Sequence, residues 1–199
     1  MSTRGRPARD RIVIEPKDEK RIFDALEQWA ATEDFVALRT RAFVYLLWDG
    51  ALRPTAARLL NVEDVLVSPG SGRLRVATKA VLRASEGYEE RVFLLSDRAR
   101  EGLADYLRVI RDDEWLPKGL RGPLFLSSYF YGTGKRVSNR SLTHCWNLAL
   151  NQAGIPRKYT MEDIVYTGRV RFLEAAKGSA ELLSDHAGIS SVWSFVIFH

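Results

Sequence analysis

Between Asp34 and Trp48 the chain carries Phe35, Val36 and Leu38 and then Phe43-Val44-Tyr45-Leu46-Leu47, apolar on nearly every side of a helix. A helix that is apolar all round must be enclosed by other elements, so this stretch predicts a central buried helix with the rest of the chain as its cover. Its aromatic side chains read as core. The helix runs into Asp49-Gly50-Ala51-Leu52, a glycine break, and the chain restarts at Arg53-Pro54 with Thr55-Ala56-Ala57-Arg58-Leu59-Leu60. Proline suits a first helical turn, where its missing N–H is no loss. Arg53 is thereby expected at the positive end of a short second helix, where a guanidinium makes an anion site.

The cover can be read in order. Acids follow Pro16 in a first turn, and Ile22, Phe23, Leu26 and Trp29 recur at helical spacing, so an amphipathic helix is expected over residues 17–30. After Asn61 the period falls to that of strands. Residues 65–67, 73–78 and 88–95, with Ser68-Pro69-Gly70-Ser71-Gly72 as the first turn, suggest a small three-stranded antiparallel sheet, with Lys79 in the loop after its second strand. Ser96 or Asp97 caps a helix with Leu103, Tyr106, Leu107 and Ile110 inside. A further helix opens near Val137-Ser138 and ends at Gln152-Ala153-Gly154-Ile155.

Two tempting motifs fail on their chemistry. Gly132-Thr133-Gly134-Lys135 lacks the upstream glycine of a phosphate loop, and Arg136 stands where Ser or Thr must hold magnesium. His144 and Cys145 are adjacent on a helix and point about 100° apart, so they cannot work as base and thiolate.

Charge suggests the partner. A chain of 199 residues suits one domain, and 30 Lys and Arg against 25 Asp and Glu give +5, which favours a polyanion. The excess is clustered. Arg4, Arg6, Arg9 and Arg11 face only Asp10 among the first twelve residues, and between 135 and 171 seven basic residues face Glu162 and Asp163. Residues 1–15 are therefore expected as a flexible basic arm, ahead of a folded domain over 16–199. Arg4-Gly5-Arg6-Pro7 resembles the core of an AT-hook, whose two arginines enter a narrow A·T minor groove. The lone Cys145 excludes an internal disulfide and suits a reducing cytoplasm. No zinc cluster and no cofactor is expected. No apolar run reaches the ~18 to 20 residues of a membrane span, and a soluble, cytoplasmic, nucleoid-associated protein is the expectation.

The Leu52-Arg53 break followed by a short helix and Val62-Glu63-Asp64-Val65 resembles the first box of the tyrosine recombinase (phage integrase) family. Leu124-Phe125-Leu126, the Ala153-Gly154-Ile155 ending, Phe172-Leu173-Glu174-Ala175 and Leu183-Ser184-Asp185-His186-Ala187-Gly188-Ile189 are similar to later segments of the same catalytic domain. The resemblance covers roughly residues 17–198. It implies an α+β, mainly helical catalytic-domain fold with a small three-stranded antiparallel sheet, and double-stranded DNA as the partner. It also implies roles. Arg53 would bind the scissile phosphate, Lys79 would reach the same region from the β2–β3 turn, and His186 would be retained from the last box. Lys135, Arg136 and Arg140 would contact phosphates.

The departures from the family pattern concern the chemistry. Glu162 stands where a histidine belongs, Val165 where the second catalytic arginine belongs, and Phe195 where the nucleophilic tyrosine belongs. Arg169, one turn beyond Val165, could lean towards the same phosphate. The last tyrosine is Tyr166. Phenylalanine has no oxygen with which to form a phosphotyrosine link, and loss of one charge-stabilising donor typically costs on the order of 100- to 1000-fold in rate. The residues read as a catalytically inactive, regulatory or architectural DNA-binding protein. Two rivals remain: a recombinase using a displaced tyrosine (Tyr166 or Tyr159) or one supplied in trans, and a protein-interaction module that modulates a true recombinase; a second copy of the chain or a related recombinase is the further partner expected beside DNA.

Overall fold

In a computed structural model of the chain, residues 11–65, 67–69, 74–76, 79–82, 91–112, 122–128 and 134–175 are described. Four helices form around the apolar stretch: α1 (Pro16–Ala30), the central α2 (Phe35–Gly50), the short α3 (Pro54–Leu59) and a 3-10 turn (Val62–Val65). Two antiparallel strand pairs follow, β1 (Val67–Pro69) with β2 (Leu74–Val76) and β3 (Lys79–Leu82) with β4 (Arg91–Leu94). Three longer helices, α4 (Asp97–Asp112), α5 (Asn139–Gln152) and α6 (Met161–Ala175), complete the described part.

The central helix is enclosed as its pattern demands. α1, α4, α5 and α6 all pack on it. Asp34 starts it by accepting the Ala37 N–H at 2.9 Å, the usual N-cap bond. From Ala37 to Leu47 every residue is buried. That includes Arg39 and Arg41, which the apolar reading passed over. Arg41 bridges α1 and α4 through Glu27 (2.9 Å) and Asp105 (2.6 Å). Arg39 donates Nη1 to the Leu126 carbonyl at 2.6 Å and Nη2 to Cys145 Sγ at 3.5 Å, tying α2 to the buried Leu124-Phe125-Leu126 segment and to α5.

Two expectations change. α2 includes Gly50, the residue expected to break it, and is capped by Ala51, whose φ of 48° lies in the left-handed region that L-residues rarely adopt. The single three-stranded sheet is replaced, among the described residues, by two separate strand pairs. Lys79 is not in a loop: it opens β3 opposite Leu94, because Ala80-Val81-Leu82 extends the strand-forming pattern past the expected turn.

α6 lies against the C-terminal end of α2 at Gly168. A methyl group there would sit 2.3 Å from the Trp48 carbonyl oxygen, so only glycine permits this approach.

Candidate functional site

Arg53 is the N-cap of α3, its backbone extended (φ −58°, ψ 143°) and its side chain exposed. With six residues, α3 aligns few peptide dipoles. The expected helix-end field is therefore slight, and attraction for an anion at this point rests on the guanidinium itself.

The far end of α3 is fixed by Arg136. Its Nη1 donates to the carbonyls of Arg58 (2.7 Å) and Leu60 (2.8 Å), and its Nη2 to Asn61 Oδ1 (2.8 Å). These bonds satisfy carbonyls that a helix C-terminus leaves open. Burial, with the neighbouring Arg58, lowers its pKa. Arg136, expected as a phosphate contact, is half-buried and holds the segment that carries Arg53.

Opposite Arg53, α6 presents Glu162, Val165, Tyr166 and Arg169, spaced i, i+3, i+4 and i+7 and so on one stripe of the helix. These four, with Arg53, Pro54 and Arg11, line one open cleft of about 20 Å³, room for about one water molecule. Val165 is 5% exposed and offers the cleft only the edge of an isopropyl group. Arg169 donates Nη2 to the Ala51 carbonyl at 2.7 Å, clasping the left-handed turn between α2 and α3. The side chains of Arg11, Arg53 and Glu162 make no hydrogen bond or ion pair with other described residues.

Arg11 reaches the cleft by an unexpected route. Ile12 N–H donates to Asp163 Oδ1 at 3.0 Å and Ile14 N–H to Thr167 Oγ1 at 2.9 Å, so residues 11–15, expected within the flexible arm, lie extended across α6. Ile14 is fully buried. The β-branched run Ile12-Val13-Ile14 was the available signal for an extended, anchored segment.

The other expected contacts are dispersed. Lys135 precedes α5 and Arg140 lies in its first turn, both exposed. Arg4, Arg6, His186 and Phe195 lie outside the described residues. Of the two displaced-tyrosine candidates, Tyr159 is buried, with its hydroxyl donating to Asp18 Oδ2 at 2.9 Å, whereas Tyr166 borders the cleft. Among the described residues no His, Cys, Asp and Glu group could hold a metal ion, and no helix is long and apolar enough to cross a membrane.

No protein-family model and no curated protein matches the sequence. Solved structures do. The XerA recombinase matches with a TM-score of 0.70 at 19% identity, covering 99% of this chain and 61% of its own. The XerH site-specific recombinase, in a post-cleavage complex with palindromic difH substrate, matches with a TM-score of 0.69 at 14% identity, covering 96% of this chain and 50% of its own. The catalytic domain of bacteriophage HP1 integrase matches with a TM-score of 0.55 at 16% identity over 94% of this chain and 86% of its own. The chain thus has the mainly helical fold of a tyrosine-recombinase catalytic domain, and it spans about half to three-fifths of the XerH and XerA chains.

Proposed function

We propose that this protein binds duplex DNA across the cleft between α3 and α6 and holds a backbone phosphate at its mouth without cutting it, as a regulatory or architectural factor acting on DNA in the cytoplasm. One observation carries the reading: Arg53, Glu162 and Val165 line the same cleft. A guanidinium faces a carboxylate and an isopropyl group. That set can attract a phosphodiester, but position 165 supplies no donor for the charge that develops on a crowded phosphorus, and Glu162 opposes that charge. The likeness to a recombinase solved with its DNA substrate supports DNA as the ligand class. Lys79, Lys135, Arg140 and His186 are proposed as further contacts, and Arg4 and Arg6 as minor-groove contacts of a basic N-terminal arm.

The test is a titration of labelled duplex across salt concentrations. Neutralising about five phosphates gives a slope of log K against log salt near −4 to −5, and Arg53→Ala weakens binding about tenfold with its far-UV spectrum intact. A slope near zero removes nucleic acid as the partner. Incubation with suicide substrates yields no covalent adduct, for the native chain or for Phe195→Tyr.

A second reading is favoured by Tyr166, which lines the cleft that Arg53 borders. It makes the chain a recombinase with a displaced nucleophile. An adduct that disappears in Tyr166→Phe establishes that reading and overturns the first.

A further inference from the structure

We infer that Arg11 is a second phosphate-binding arginine of this cleft, delivered by the N-terminal segment and aimed by two side chains of α6. The inference rests on the DNA-binding reading and names a ligand contact that the resemblance to recombinases does not supply.

The geometry begins with matched repeats. Alternate residues of an extended chain lie about 6.6 Å apart, and residues four apart on a helix are separated by about 6.0 Å along its axis. Ile12 and Ile14 on the strap therefore meet Asp163 and Thr167 on α6 in register, at 3.0 and 2.9 Å. Both acceptors are themselves held. Asp163 uses its other oxygen, Oδ2, to accept from Thr160 N–H (2.7 Å) and Thr160 Oγ1 (2.8 Å) at the start of α6, and Thr167 Oγ1 donates to the Asp163 carbonyl at 2.7 Å. The strap is fixed in register, with Ile14 sunk in the core as its stop.

One residue before Ile12, the chain has come alongside the stripe that begins with Glu162, and Arg11 borders the cleft with Arg53. Charge then decides the role. Arg53 and Glu162 alone cancel and leave little attraction for an anion. Arg169 adds a positive charge, with one nitrogen committed to the Ala51 carbonyl. Arg11 adds a further guanidinium to the lining, one that makes no hydrogen bond within the described residues, where the family pattern would have drawn one from position 165. The ligand is a phosphodiester or another phosphate ester of comparable size.

The experiment measures affinity of the full-length chain for a labelled duplex at several salt concentrations. Arg11→Ala is expected to weaken binding about tenfold and to lower the salt slope by about one. Thr167→Val removes no charge but frees the strap, and it is expected to weaken binding several-fold; Thr167→Ser, which keeps the hydroxyl, restores it. Lys20→Ala, which removes a charge from the exposed Lys20–Asp24 pair on α1, is the control for general electrostatics. If Arg53→Ala weakens binding while Arg11→Ala does no more than Lys20→Ala, Arg11 is not in the phosphate site, and the DNA-binding reading stands without it. If the native chain fails to bind duplex at all, both fall. If Thr167→Val and Thr167→Ser bind alike at the native level, the strap does not aim Arg11, and the inference is overturned on that point.

Discussion

Gly168→Ala separates a close helix crossing from an ordinary one, because the two outcomes differ in sign. In an exposed helix interior the change stabilises by about 1 kcal/mol through helix propensity. Here the new methyl would lie 2.3 Å from the Trp48 carbonyl oxygen and 3.1 Å from the Trp48 carbonyl carbon and Cα. All three are backbone atoms, which cannot turn aside as a side-chain tip would. Restoring an ordinary carbon–oxygen separation of about 3.3 Å requires α6 to withdraw by about 1 Å. That movement stretches the Arg169–Ala51 bond from 2.7 Å to about 3.7 Å, beyond hydrogen-bonding range. Overpacking typically costs about 1 to 3 kcal/mol, and loss of a charged hydrogen bond about 1.5 to 3 more, against which the propensity gain is minor. The net expectation is destabilisation by about 1.5 to 5 kcal/mol. Urea denaturation followed by circular dichroism measures it, and duplex affinity should fall as the α2–α3 turn loosens. A Gly168→Ala protein as stable as the native one, or more so, would refute the crossing and the argument that Arg169 fixes the position of Arg53.

Three further expectations follow from side-chain partners. Asp18 accepts from Lys158 Nζ (2.8 Å) and Tyr159 Oη (2.9 Å), and the Lys158 hydrogen bond leads the influences that hold its carboxyl below the ordinary carboxylate range. Its contribution is therefore fully present above about pH 4 and is lost as pH falls through the lowered folded value; Asp18→Asn should flatten the acid limb of a stability–pH curve, and an unchanged limb counts against the network. Arg136→Ala should lower stability by about 2 kcal/mol or more, because three acceptors at the end of α3 lose their donor. A change within about 0.5 kcal/mol, the usual range for a surface site, would return Arg136 to the role of a phosphate contact. Tyr159→Phe should cost about 1 kcal/mol through its lost bond to Asp18 while leaving DNA affinity unmoved; a covalent DNA adduct of the native chain that disappears in Tyr159→Phe would bring Tyr159 back as a candidate nucleophile.

Much of this fold was legible because its signals are local. The burial of α2, the cap at Ser96 and the inner face of α4 all follow from spacing and residue type within one element. The candidate cleft was legible in a different way. Arg53, Glu162 and Val165 were brought together by resemblance, and the cleft they share depends on how α3 and α6 meet, which no local pattern encodes. What escaped was long-range pairing of polar groups. Arg136 reads as a surface cation until Arg58 and Leu60, more than seventy positions earlier, are seen to offer it their carbonyls. Arg11 reads as part of a solvated tail until α6, about 150 positions later, supplies acceptors for Ile12 and Ile14. Arg39 is fully enclosed with a carbonyl and a thiol as partners, a choice that charge patterning alone would have rejected.

The arrangement of α6 explains how the chemistry of the cleft can change while its frame stays. Residues that fix the helix are Asp163 and Thr167, which take the strap, Gly168, which admits the end of α2, and Arg169, which clasps Ala51. Glu162 and Val165, which line the cleft, take part in none of these bonds. A substitution at 162 alters the charge met by an anion without disturbing the anchors. Position 165 is less free, because its side chain is 5% exposed, and a guanidinium introduced there would have to reach the opening or lose its hydration. Valine at that position therefore stabilises the packing of α6 against its neighbours, and an arginine would trade that packing for a donor. Delivery of a guanidinium from the strap avoids the conflict: Arg11 comes from outside the core, along a segment whose register α6 already sets.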